Sequence, residues 1–239
     1  MVTSDVEHVV VARACSERGE VVLLARRDPE AQAGAPVVLE LRVNGVFVMD
    51  TLETTSETAL ARAALELVEA PSRVLVGGLG LGFTAHEVLA DPRVGHVVVA
   101  EIEEALVGWF RDGTVPHGPA FLADRRVTVA VGDVRQVVEE AAPASLDLVL
   151  LDVDNGPDFL VFEANAALYE STFLERVWVV LRPGGALAVW SSTESSRLAD
   201  SMTAVFGSCT VEDRSVTLQG REDVYWLHVA RKETTEEVS

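Results

Sequence analysis

Between Arg73 and Phe206, short apolar runs rich in β-branched residues alternate with stretches of helical periodicity. This alternation limits the possible fold more than any other feature of the chain. The runs are Val74–Val76, His96–Ala100, Val127–Val131, Leu146–Leu151 and Ala186–Trp190. Helices are expected from the glycine-rich turn to about Leu89, over about Glu103–Arg111, around Arg135–Ala141, over about Glu163–Leu181 and over Ser195–Phe206. Strands that are apolar throughout and separated by helices build a parallel sheet covered on both faces. The end of the chain breaks the rhythm. Cys209–Leu218 and Val224–Ala230 flank Gly220 and read as a hairpin, which adds an antiparallel strand. The expected class is α/β: a Rossmann-like, mostly parallel sheet with an antiparallel C-terminal strand.

The first part of the chain reads differently. Val6–Ala12 and Val21–Arg26 are β-branched runs around the turn-like Ser16–Gly19, and 28–36 is a polar Ala/Gly/Pro loop. Val37–Val43 and Val46–Met49 flank Asn44-Gly45, a pair that accepts the positive φ angles of a type I′ turn. A small β-sheet subdomain over residues 1–54 is therefore expected before the α/β domain of 55–232, with a polar, disordered tail at 233–239. Leu60, Ala64, Leu67 and Val68 recur at helical spacing within Thr54–Glu69, and Pro71 ends that helix.

Composition narrows the function classes. Hydrophobic residues make up 49% of the 239, enough for a sizeable core. No apolar run reaches the ~20 residues of a membrane helix, and Met1–Val11 lacks the basic-then-apolar order of a signal peptide. Cys15 and Cys209 fit neither a disulfide framework nor a zinc spacing, so a reducing cytoplasm is expected. A net charge of −19 disfavours nucleic acid and anionic lipid and favours a cationic small molecule. Trp178, Trp190 and Trp226 lie in apolar elements and are expected in the core.

Four features at strand ends carry chemistry. Val74-Leu-Val-Gly77-Gly78-Leu79-Gly80-Leu81-Gly82-Phe83 joins the first strand of the alternation to its helix. Gly78, Gly80 and Gly82 let the backbone turn and approach a ligand, and the N–H groups of the next helix suit an anion. Glu101, ending the second strand, can accept both ribose hydroxyls of a nucleoside. Gly132-Asp133 follows the third strand, where Asp133 can accept from an adenine amino group or cap the next helix. Asp152-Val-Asp154-Asn155-Gly-Pro157 follows the fourth. All four lie on the carboxyl edge of the sheet, where open α/β folds bind ligands. Gly80-Leu-Gly82-Phe-Thr-Ala85 also satisfies the loose dinucleotide pattern, so a dinucleotide-dependent oxidoreductase stays open from these residues alone. No metal is expected: the histidines form no ligand cluster, and no Glu closes a calcium loop around Asp152, Asp154 and Asp158.

These motifs resemble the spermidine synthase (polyamine aminopropyltransferase) family from about Leu41 to Arg231. Asn44–Asp50 looks like that family's final N-terminal hairpin, and Gly78–Phe83 falls where the family has G-G-G-D-G-G. Glu101-Ile-Glu103 is similar to its E-I-D ribose motif, Gly132-Asp133 to its G-D adenine motif and Asp152–Pro157 to its D-S-S-D-P. The resemblance implies a class I methyltransferase-like fold after a small β domain, and S-adenosylmethionine or decarboxylated S-adenosylmethionine as cofactor. It implies aminopropyl transfer to an amine or polyamine, with a homodimeric assembly. It gives Asp152 the part of assisting deprotonation of the attacking amine, and Asp154, with Asn155 beside it, a contact to the acceptor. Two positions depart from the family. Leu81 stands where its donor-tail acid is, and Glu57-Thr58 where its Tyr-Gln pair is. Methyl or aminocarboxypropyl transfer, or nucleoside binding without transfer, are the readings these departures favour.

Overall fold

The computed structural model describes residues 7–27, 37–153, 156–160, 162–218 and 221–234. Two sheets carry the fold. The first is a four-stranded antiparallel meander, β1 (Glu7–Ser16), β2 (Gly19–Arg27), β3 (Val38–Val43) and β4 (Val46–Asp50), in that order across the sheet. Asn44 (φ 52°) and Gly45 (φ 79°) both take left-handed backbone, as the type I′ turn joining β3 to β4 requires. The β1–β2 connection is tighter than the sequence suggested. Ser16 pairs with Gly19, so β1 continues to the turn rather than ending at Ala12.

Helix α1 (Thr55–Glu66) leads from this sheet into the second one. There β5 (Arg73–Gly77), β6 (His96–Glu101), β7 (Val127–Val131), β8 (Leu146–Leu151) and β9 (Leu181–Ser191) run parallel. The antiparallel pair β10 (Thr210–Leu218) and β11 (Arg221–Arg231) joins through β11 against β9. The spatial order is β10-β11-β9-β8-β5-β6-β7, the α/β arrangement expected. Between them lie α2 (Phe83–Ala90), α3 (Glu104–Asp112), α4 (Gly118–Leu122), α5 (Val134–Glu140), α6 (Ser171–Val180) and α7 (Ser196–Phe206). One core cluster packs α1–α4 and the first sheet against one face, and a second packs α5–α7 against the other. The central strands are buried on both sides, which is why they read as unbroken apolar runs.

Three sequence expectations need correction. The helix expected over Glu163–Leu181 is a 3₁₀ segment, Glu163–Tyr169, and then α6, separated by Glu170 in extended backbone. Leu181 belongs to β9, which begins earlier than expected. Trp178 is 40% exposed, not in the core, because it lies on the outer face of α6, where the Lys232 ammonium stands 3.8 Å above its ring. Trp190 is buried and Trp226 half-buried. Short α4, starting at Gly118-Pro119, carries no periodic signal and was not expected. Gly220 and residues 235–239 lie outside the described residues.

Candidate functional site

The carboxyl ends of β5, β6, β7 and β8 are stitched into one rim. Gly78 N–H donates to Ala100 O (2.9 Å), Gly132 N–H to Glu101 O (2.8 Å) and Asp152 N–H to Gly77 O (2.9 Å). Each bond carries the parallel ladder one residue past its strand, so the loops leave the edge side by side. They open on a cavity whose other wall is the first sheet, through Val21, Leu41, Val43 and Val48. Gly78, Gly80, Glu101, Asp133 and Asp152 all line this cavity, so the structure gathers residues spread over 75 positions of sequence into one place.

The glycines are required by their protein neighbours. A Cβ on Gly78 (φ +92°) would fall 2.1 Å from the Asp152 carbonyl oxygen, and one on Gly80 2.6 Å from Met49 Sδ. Those absent side chains let the loop lie flat between β8 and the first sheet and leave its backbone facing the cavity. Gly82 differs from the other two. It precedes α2 in left-handed backbone and faces Phe110 and His117, away from the cavity lining. Leu81 is fully buried in the core. Its amide donates to Met49 Sδ (3.1 Å), and its carbonyl meets His117 Nε2 (2.7 Å). At the loop position where the resembled family carries its acid, this chain therefore turns an apolar side chain inward.

Glu101 is buried at the head of the cavity. Its two oxygens accept from Leu79 N–H (2.9 Å) and Glu103 N–H (2.7 Å), which leaves each oxygen a further lone pair. Burial pushes its carboxyl above the ordinary value, and the two amide bonds oppose that rise. Asp133 caps α5, accepting from Arg135 N–H (2.8 Å) and from the Arg135 guanidinium. Burial raises its carboxyl, but Arg135 outweighs burial and holds it below the usual range. Both readings of Asp133, helix cap and cavity residue, are realised together. Arg18, in the β1–β2 turn, reaches across the cavity. It donates through Nε to Glu103 (2.7 Å) and through Nη2 to Ile102 O (2.9 Å), tying the first sheet to the loop after β6. Nothing in the turn-like Ser16–Gly19 marks that role in sequence, since the partner lies 85 residues away.

Asp152 follows β8 and receives Thr84 Oγ1–H from α2 (2.5 Å). Desolvation raises its carboxyl, with the Thr84 bond acting in opposition. Glu57, in the first turn of α1, is 7% exposed, and its Oε2 accepts from Ser56 Oγ–H (2.7 Å). Desolvation and then the charge of Asp152 push Glu57 up to about 7. The sequence marked Glu57 only as a departure from a family pattern; its burial and the reach of the Asp152 charge are the structure's addition. Beyond them Trp190 packs edge-on against Tyr225 with ring centroids 4.9 Å apart. Burial, then Asp223, Glu57, Glu53 and Asp50, drive the Tyr225 phenol up to about 12. Asp154 and Asn155 lie outside the described residues.

Residues 53–203 match the spermine/spermidine synthase domain. A putrescine N-methyltransferase of Nicotiana tabacum is 33% identical over 119 residues, 49% of this chain and 29% of that protein. A polyamine aminopropyltransferase of Hyperthermus butylicus is 32% identical over 168 residues, 68% of this chain and 51% of that protein. The chain thus spans between about a third and a half of the length of these curated relatives. A spermidine synthase structure in complex with the transition-state analogue AdoDATO superposes with a TM-score of 0.76 at 16% identity, covering 93% of this chain and 73% of that one. That likeness concerns the fold.

Proposed function

The chain belongs to the spermine/spermidine synthase family, and from that premise we propose that it transfers an aminopropyl group from decarboxylated S-adenosylmethionine to an amine or polyamine. The observation that carries this reading is the placing of Asp152 in the same cavity as Gly78 and Glu101. A proton acceptor and a nucleoside cradle share one space.

The residues suit a sulfonium nucleoside. Gly78 and Gly80 present bare backbone, Glu101 has lone pairs left for ribose hydroxyls, and Asp133 lines the same cavity for an adenine amino group. Gly82 would act indirectly, by shaping the start of α2. When bound, the donor supplies a carbon already activated by a positively charged sulfur leaving group. The protein's part is then chiefly positioning. Asp152 would orient the acceptor amine and take its proton, with Thr84 fixing its rotamer. Asp154 and Asn155 are proposed to extend the acceptor contacts. The apolar wall from Val21 to Val48 would keep water from the donor.

A second reading is favoured by Leu81. The family's donor-tail acid is replaced by a side chain buried in the core, which suits methyl or aminocarboxypropyl transfer from S-adenosylmethionine itself. Calorimetric titration with both donors and with methylthioadenosine separates the two. Tenfold tighter binding of the decarboxylated donor, about 1.4 kcal/mol, is the expected result. The reverse order would replace aminopropyl transfer with the second reading.

We also propose a cytoplasmic homodimer that binds neither nucleic acid nor membrane. Its net charge is −19, and no helix among the described residues is long and apolar enough to cross a membrane. The edge strand β1 exposes Val9, Val10 and Val11. The division at residues 54/55 separates the part that offers this edge from the part that holds the rim.

A further inference from the structure

The two hairpin turns of the first sheet are interlocked at the cavity. Asn44, in the β3–β4 turn, donates through Nδ2 to Arg18 O (3.1 Å) and accepts Glu20 N–H at Oδ1 (2.9 Å). Its own N–H donates to Glu20 O (2.8 Å). A Cβ on Gly19 would fall 1.8 Å from Asn44 Oδ1, so a glycine there is what lets the turns close this far. Arg18 N–H donates to Ser16 Oγ (3.1 Å). The backbone of Arg18 is thus fixed from both turns. The half-buried Arg18 lines the cavity together with Asn44, Glu101, Ile102 and Glu103.

The guanidinium's bonds converge on the segment after β6. Nε donates to Glu103 Oε1 (2.7 Å), which also accepts Ser16 Oγ–H (3.1 Å), and Nη2 donates to Ile102 O (2.9 Å). Ile102 C=O and Glu103 N–H belong to one planar peptide unit. The N–H end of that unit donates to Glu101 Oε1 (2.7 Å). Arg18 therefore grips one end of the peptide and the Glu101 carboxylate takes the other. Hydrogen bonds in line through a peptide polarise and strengthen one another. Glu103 stands at the N-cap of α3 yet makes no capping bond with its side chain; its carboxylate goes to Arg18 and Ser16 instead. The other oxygen of Glu101 is held by Leu79 N–H from the glycine loop (2.9 Å). Of the two amides that orient this carboxylate, one is thus anchored from the first sheet.

We propose that Arg18 is a positioning residue for the donor's ribose: it fixes the Ile102–Glu103 peptide so that Glu101 presents its remaining lone pairs to the ribose hydroxyls. This rests on the nucleoside site of the transferase reading above. Two parallel bonds to a diol need the carboxylate in one orientation, and binding weakens when that orientation must be selected from several. Without the guanidinium the peptide loses its partner on the carbonyl side, and Glu101 keeps one firm anchor in place of two. The first sheet then does more than wall the cavity. Through Arg18 it sets how strictly the site demands ribose, since a site built to bond hydroxyls rejects the analogue that lacks them.

The test measures binding, so it reads whether or not turnover is seen. The full chain is titrated calorimetrically with methylthioadenosine and with its 2′,3′-dideoxy analogue, as wild type, Arg18→Ala and Arg18→Lys. Wild type should prefer methylthioadenosine by about tenfold or more. Arg18→Ala should bind methylthioadenosine about tenfold more weakly but the dideoxy analogue within about twofold of wild type. The interlocked turns should survive this change, because Asn44 bonds the carbonyl of residue 18 and not its side chain. Arg18→Lys restores the charge without the fork that reaches Glu103 and Ile102 O together, and should fall between the two. Without ligand, the Glu103 amide proton should move upfield in Arg18→Ala, as NMR would show. A loss shared equally by both ligands would mean that Arg18 shapes the cavity in general. That result, or an unchanged preference, would overturn the proposal and leave the nucleoside site standing. A wild type that binds both ligands alike would take the ribose role from Glu101, and the proposal with it. A wild type that binds no methylthioadenosine would overturn the transferase reading itself, together with the part given to Arg18.

Discussion

Glu57, in the first turn of α1, is buried, and burial, then the charge of Asp152, makes its ionisation cost stability. A carboxyl whose folded value is raised binds its proton more tightly in the native state than in the unfolded chain. That contribution is complete below the unfolded value near 4.5 and is lost as pH rises through about 7. For a rise of this size the loss is roughly 3 kcal/mol by pH 8. Glu57→Gln carries no such penalty. It is therefore expected to melt several degrees above wild type at about pH 8 and close to it at about pH 4, as differential scanning calorimetry would show. An equal difference at both pH values would mean that packing, not charge, separates the two proteins. A buried carboxyl held this far above its ordinary value is the pattern of a functional site.

At the scale of elements, β1 is an open edge. Among the described residues it pairs with β2 alone, its register shifts between Val10 and Ala12, and Val9, Val10 and Val11 are between 43% and 49% exposed. An open apolar edge invites a second copy. Sedimentation at micromolar concentration should find a dimer, and Val10→Lys should yield a folded monomer; a monomeric wild type would remove this edge from the account. Elements differ in how far sequence revealed them. The Asn44-Gly45 turn was legible because two positive φ angles need those residue types. β8 was legible to the residue because burial on both faces leaves an apolar run broken only by Asp147, and β7, a partly exposed edge strand, because Val127, Thr128, Val129 and Val131 are β-branched. The break at Glu170 was not, since apolar residues recur through Leu168, Tyr169, Phe173 and Leu174 without regard to the change from 3₁₀ to α. Nor was the exposure of Trp178, which depends on its lying on the outer face of α6. In the candidate site, Gly78, Glu101, Asp133 and Asp152 could be read from loop chemistry at strand ends. The role of Arg18 could not, because it joins segments far apart in sequence.

At the scale of the whole molecule, the two sheets do different work around one cavity. The parallel sheet brings four loops to a common rim, and the antiparallel sheet closes the opposite side with an apolar wall and the Arg18 clamp. Acidic groups surround Tyr225, in keeping with the charge of −19. The central claim is that an amine near Asp152 takes an alkyl group from a sulfonium nucleoside held against Gly78 and Glu101. Its most direct test is to incubate the purified protein with an amine panel and decarboxylated S-adenosylmethionine, or S-adenosylmethionine, and identify the nucleoside thioether by mass spectrometry. The account predicts methylthioadenosine from the decarboxylated donor, with the rate falling about a hundredfold or more in Asp152→Asn while the donor still binds. S-adenosylhomocysteine from S-adenosylmethionine would give the chain methyl-transfer chemistry at the same site. No thioether from either donor, or an Asp152→Asn protein as fast as wild type, would contradict the account.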